Sequence, residues 1–72
     1  MTNTMLLEKH IKSAGIKYKF VAEKLGITYY SLRKKINNVT EFTATEIDLL
    51  CELLHLGVKD RMAIFFAKGV DL

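Results

Sequence analysis

The sequence predicts an all-α fold, a compact four- to five-helix bundle carrying a helix-turn-helix, in a chain of 72 residues. Three observations lead there. Half of the residues are hydrophobic and none is proline, a composition suited to packed helices and unlike that of a disordered chain. Apolar side chains recur at spacings of three and four, as at Leu7, Ile11 and Ala14 or at Ile47, Leu50, Cys51 and Leu54, the period of a helix with one buried face. Residues that start and stop helices, among them Gly15, Gly26, Thr28, Thr43 and Gly57, fall between these runs.

Taken in order, Asn3 or Thr4 can cap a first helix that runs to about residue 14 and ends at Gly15. Lys9, His10 and Lys12 lie on its solvent side. A second helix over about 17–25 turns Val21, Ala22 and Leu25 inward, with Phe20 at the edge. A third runs from Thr28, its cap, to residue 36 or 37, anchored by Leu32 and Ile36 and stopped at Asn37-Asn38. After a loop in which Phe42 folds back onto the core, Thr43 and Glu46 form a capping box for a fourth helix. Gly57 stops that helix. Its stripe of Leu49, Leu53 and Leu56 is second to the inner one. A helix in so small a bundle hides one broad face, so either the C-terminal segment or another chain covers that stripe. Residues 58–72 are open to two conformations: a short helix capped by Asp60, or an extended segment. The whole is expected to be one domain over 1–72, with its core in about 4–57. So short a chain supports a net stability of roughly 3–5 kcal/mol.

The stretch 17–38 organises the rest. Ala22 lets two helices cross closely, and Gly26 takes the positive φ of the turn between them. The third helix then presents Tyr29, Tyr30, Arg33, Lys34 and Asn37 outward, a basic, polar and aromatic face suited to the major groove. Six cations (Lys17, Lys19, Lys24, Arg33, Lys34, Lys35) and one acid, Glu23, give this stretch a net +5. Residues 39–60 carry five acids and one lysine, a net −4. Basic charge concentrated on the reading unit is the footprint nucleic acid requires. Lys17 and Lys19, at the start of the second helix, would meet phosphate together with its N–H groups and dipole.

Several classes are argued against. The single cysteine, Cys51, allows no internal disulfide and points to a reducing compartment. No apolar run is long enough to span a bilayer, and the first residues do not read as a signal peptide, so a cytoplasmic protein without a membrane role is expected. Two histidines and one cysteine are scattered at His10, His55 and Cys51, with no metal-ligand cluster, phosphate loop or catalytic set. Neither a cofactor nor an enzymatic activity is expected.

The stretch FVAEKLGITYYSLRKKINN, followed by EFTATEIDLLCELLHLG, resembles the Cro and lysogeny-repressor (XRE-type) helix-turn-helix proteins of temperate phages and Gram-positive bacteria. The resemblance covers about residues 6–57. In size and in its terminal Ile64-Phe65-Phe66 the chain is most similar to the small phage switch regulators, including the Cro-like modulators of repression of lactococcal phages.

The resemblance implies a lambda-repressor-like domain with its third helix in the major groove. Reading positions fall on Tyr29, Tyr30, Arg33 and Lys34, and phosphate-clamp positions on Lys17, Tyr18, Lys19 and the loop of Asn38 to Thr40. Many family members carry glutamine where Tyr18 and Tyr29 stand here, and a tyrosine hydroxyl cannot make the bidentate adenine contact of glutamine. The implied function is a Cro-like regulator of the lysogenic–lytic switch, binding double-stranded operator DNA alone, as a homodimer, or with its cognate lysogeny repressor in a bacterial host. An antirepressor acting by protein contact is the alternative, through Tyr29, Tyr30, Leu49, Leu53, Ile64, Phe65 and Phe66, with Glu46, Asp48 and Glu52 facing a basic partner. A toxin–antitoxin regulator sharing the fold is a further alternative.

Overall fold

The computed structural model describes residues 1–67. Its helices are α1 (Thr4–Ser13), α2 (Tyr18–Leu25), α3 (Tyr29–Ile36), α4 (Ala44–Leu54) and α5 (Val58–Phe65), and no strand occurs among the described residues. Residues 68–72, the end of the segment expected to be either helical or extended, lie outside them. No helix among the described residues is long and apolar enough to cross a membrane.

The caps explain where the helices begin. Asn3, rather than Thr4, caps α1: its Oδ1 accepts from the Leu6 N–H at 3.1 Å. The Thr4 hydroxyl instead donates to the Ile36 carbonyl at 2.6 Å and fastens the start of α1 to the end of α3. Thr28 Oγ1 accepts from the Ser31 N–H at 3.0 Å to open α3. The capping box of α4 is complete, with Thr43 Oγ1 accepting from the Glu46 N–H at 3.2 Å and Glu46 Oε1 accepting from the Thr43 N–H at 2.9 Å.

Helix ends reuse one closure. After α2, Gly26 is left-handed (φ 72°), and the Ile27 and Gly26 N–H groups donate to Ala22 and Glu23 carbonyls at 3.0 and 3.1 Å. This is a Schellman closure. Asn38 (φ 64°) repeats it after α3, with Val39 and Asn38 donating to Lys34 and Lys35 carbonyls at 2.8 and 3.2 Å. His55 (φ 56°) repeats it after α4. The expectation that Gly57 stops α4 is therefore corrected: α4 ends at His55, and Gly57 is the extended cap of α5. Asp60 is likewise not a cap but a first-turn acid of α5, where a negative charge suits the helix dipole.

The core draws Leu7 and Ile11 from α1, Val21, Ala22 and Leu25 from α2, and Leu32 and Ile36 from α3. Phe42 with Ile47, Leu50 and Leu54 of α4, and Ile64 and Phe65 of α5, complete it. Leu49, Leu53 and Leu56 pack partly against this core, so the second stripe of α4 is half-covered within the chain. The extended alternative for residues 62–65 is excluded by α5. Ile64 and Phe65 were expected at a protein interface, but they are 0% and 4% exposed. The reason is that the last turn of α5 is wedged between two elements. The Asn3 N–H donates to the Ile64 carbonyl at 2.6 Å, and Phe65 meets Phe42 edge-on with ring centroids 5.6 Å apart. Only Phe66 of that trio stays on the surface. Cys51 is half-buried, and burial pushes its thiol up, ahead of the opposing effect of nearby Arg61. A neutral thiol is a poor nucleophile.

Candidate nucleic-acid interface

Three flanks of α3 have three different neighbours. Leu32 and Ile36 point into the core. At about 100° per residue, Tyr30, Lys34 and Asn37 fall on the opposite side. Tyr30 is 72% exposed and Tyr29, near the start of the helix, 52%. Asn37 is exposed, and Lys34 is half-buried with its Nζ 5.3 Å from the Tyr30 ring centroid. A cation over an aromatic face is held without losing its donors. This strip offers hydroxyl, ammonium and amide groups to an external partner.

Lys35, on one flank, is taken by α4. Its Nζ is 2.9 Å from Glu46 Oε1 and donates to the Glu41 carbonyl at 3.1 Å. Burial alone would raise the Glu46 carboxyl. The Thr43 N–H and Lys35 outweigh it and hold that group below the ordinary carboxylate range. Glu46 therefore drops out of the acidic surface expected on α4. Asp48 is also engaged, 2.7 Å from Arg61 Nη2; of the three acids, Glu52 has no ion pair among the described residues.

Arg33, on the other flank, is not presented as a free base reader. Its Nη2 donates to Glu8 Oε2 of α1 at 3.4 Å, and its guanidinium carbon lies 4.8 Å from the Tyr18 ring centroid. Tyr18, expected to clamp phosphate, is the half-buried platform beneath that guanidinium at the first turn of α2. Lys17 and Lys19 are exposed on either side of it. Of the loop positions, Thr40 is exposed. Asn38 is otherwise occupied: its Oδ1 accepts from the Thr2 N–H and its Nδ2 donates to the Thr2 carbonyl, both at 2.9 Å. The expectation of a phosphate contact from Asn38 gives way to a structural role. His10, expected to face solvent alone, has its Nε2 4.0 Å from Asp60 Oδ1.

The structure thus turns Tyr30, Lys34 and Asn37 away from the core on one side of α3, with Tyr29 exposed near its start. Lys17 and Lys19 are exposed at the start of α2, whose Tyr18 packs under Arg33, and Asn38, Ile64 and Phe65 are detached from the roles expected of them. Glu8 was missed. It lies on α1, 25 residues from its partner, and an acid on a helix flank carries no sequence signal for such a pairing.

A family model for the Cro/C1-type HTH DNA-binding domain matches residues 6–63. No curated protein and no solved structure matches the chain.

Proposed function

The chain belongs to the Cro/C1-type helix-turn-helix DNA-binding family, and we propose that it is a transcriptional regulator that seats α3 in the major groove of operator DNA. The observation that carries this reading is the outward side of α3, with Tyr30, Lys34 and Asn37 turned away from the core, together with Lys17 and Lys19 exposed at the start of α2. In a docked helix-turn-helix, such a strip meets base edges while the start of the preceding helix meets phosphate. Lys34 and Asn37 supply the donors and acceptors that distinguish base pairs, and Tyr29 flanks them. Lys17, Lys19 and Thr40 hold phosphate.

The finer role is regulation of a phage lysogenic–lytic switch together with a lysogeny repressor. The resemblance to the small phage regulators in size and in the terminal Ile64-Phe65-Phe66 supports it. One monomer carries one reading helix, whereas tight operator binding in this class uses two half-sites about one DNA turn apart. A homodimer or a joint complex with the repressor supplies the second. The alternative of an antirepressor is favoured by one observation, the two adjacent tyrosines that are 52% and 72% exposed; tyrosine is enriched among residues that dominate protein interfaces.

A titration of labelled duplex from the gene's own upstream region separates these. Sequence-specific, salt-dependent binding by the protein alone supports operator reading. No binding alone, with an altered complex once purified repressor is added, moves the function to the protein contact.

A further inference from the structure

We propose that Glu8 is a specificity-determining residue that competes with DNA for Arg33, withholding the guanidinium from the groove. The proposal rests on the reading of α3 as the DNA-contacting helix.

Arg33 has the reach and charge to serve the strip beside it, one turn from Tyr29 and Tyr30. Its fork is nevertheless turned back to α1, with Nη2 3.4 Å from Glu8 Oε2. The guanidinium lies over the Tyr18 ring at 4.8 Å. Tyr18 is the first residue of α2, the helix whose start faces phosphate in a docked domain. Arg33 is therefore parked at the phosphate edge of the interface, with an acid beside it. Arginine on an aromatic platform keeps its edge donors available, since stacking uses only its face. Glu8 is what engages that edge.

The pair is long and open to solvent: the two side chains are 30% and 37% exposed. Ion pairs of this kind are weak and salt-screened. A phosphate, or the O6 and N7 acceptors of a guanine, offers arginine two acceptors in the geometry it prefers. DNA can thus take the guanidinium from Glu8, but only against the carboxylate it displaces. Arg33 contributes less to binding than its charge suggests, and Glu8 sets how much less.

A double-mutant cycle with Glu8→Gln, Arg33→Ala and the double variant tests this, read as affinity for a fixed operator duplex at several salt concentrations. Circular dichroism and thermal melting confirm that each variant is folded, and Glu8→Asp serves as the conservative control. The expected result is that Glu8→Gln binds about two- to fivefold tighter and that this gain vanishes in the Arg33→Ala background. Glu8→Asp stays near the native affinity. An equal gain in both backgrounds would overturn the proposal, because Glu8 would then act as a bare charge and not through Arg33. Weaker or unchanged binding by Glu8→Gln would overturn it too, since Glu8 would be supporting Arg33 or ignoring it. Failure of the native protein to bind any duplex removes the DNA reading itself, and the proposal with it. Native binding without coupling removes the proposal alone.

Discussion

Thr2 and Asn38, 36 residues apart in the chain, hold each other through two hydrogen bonds of 2.9 Å, the Asn38 amide pairing with both backbone groups of Thr2. Asn38 is also the left-handed residue that closes α3. One side chain thus ends the reading helix and pins the start of the chain across it. Asn38→Ala is expected to cost about 1–3 kcal/mol, from two lost hydrogen bonds and an alanine forced to positive φ. Urea unfolding measures that loss. The slope of binding against salt should stay as it is, because no phosphate contact is removed.

Base and phosphate contacts separate by their signatures. Lys34→Ala and Asn37→Ala should flatten discrimination among operator variants by about 1–3 kcal/mol at the positions they face. Lys19→Ala should weaken all sequences alike and reduce the salt slope by about 0.9. Titrations on a panel of single-base-pair variants at several salt concentrations distinguish the two classes. Lys34→Ala lowering every affinity equally would remove it from the readers.

The Lys35–Glu46 pair makes stability depend on pH with a definite sign. The folded carboxyl of Glu46 is held below its ordinary range, so the unfolded chain binds the proton more readily. The stabilisation is complete above the ordinary carboxylate range and is lost as pH falls through the lowered folded value. Thermal melts should therefore drop on acidification. In Lys35→Met the acid-dependent drop should be smaller, since the cation that helps depress Glu46 is gone.

His55 closes α4 in a conformation that disfavours any side chain with a Cβ. His55→Gly should raise stability by about 0.5–1 kcal/mol, read as an increase in the urea midpoint with the slope unchanged. A decrease would mean that the imidazole makes a compensating contact.

His55 also shows where sequence stops being informative. Patterns contained within one helix were legible: the capping box at Thr43 and Glu46, the Thr28 cap, the Gly26 turn and the apolar anchors Leu32 and Ile36. Gly57 looked like the end of α4 because glycine is the usual left-handed residue, yet the last turn places that conformation at His55 and leaves Gly57 extended. Ile64, Phe65 and Phe66 are adjacent, so one helix face cannot bury all three, and Phe66 is the one left exposed; the sequence does not say what would cover the other two. Both are buried because α5 ends in a cleft with Phe42 on one side and the chain's start on the other, an arrangement no local period encodes. The pairings of Glu8 with Arg33 and of Lys35 with Glu46 depend on how helices lie across one another. They decided which cations of α3 remain free, so the candidate interface was legible as a helix and only partly as a set of residues.

The division of α3 among three neighbours bears on how such a protein acquires a new target. Lys35 is tied to the fourth helix, Arg33 to the first and second, and Leu32 and Ile36 to the interior. What is left to vary without disturbing the scaffold is a short alphabet of Tyr30, Lys34 and Asn37, with Tyr29 at its margin. A library randomised at those positions would sample new operators on an unchanged framework. One that included Lys35 would mostly sample damaged proteins.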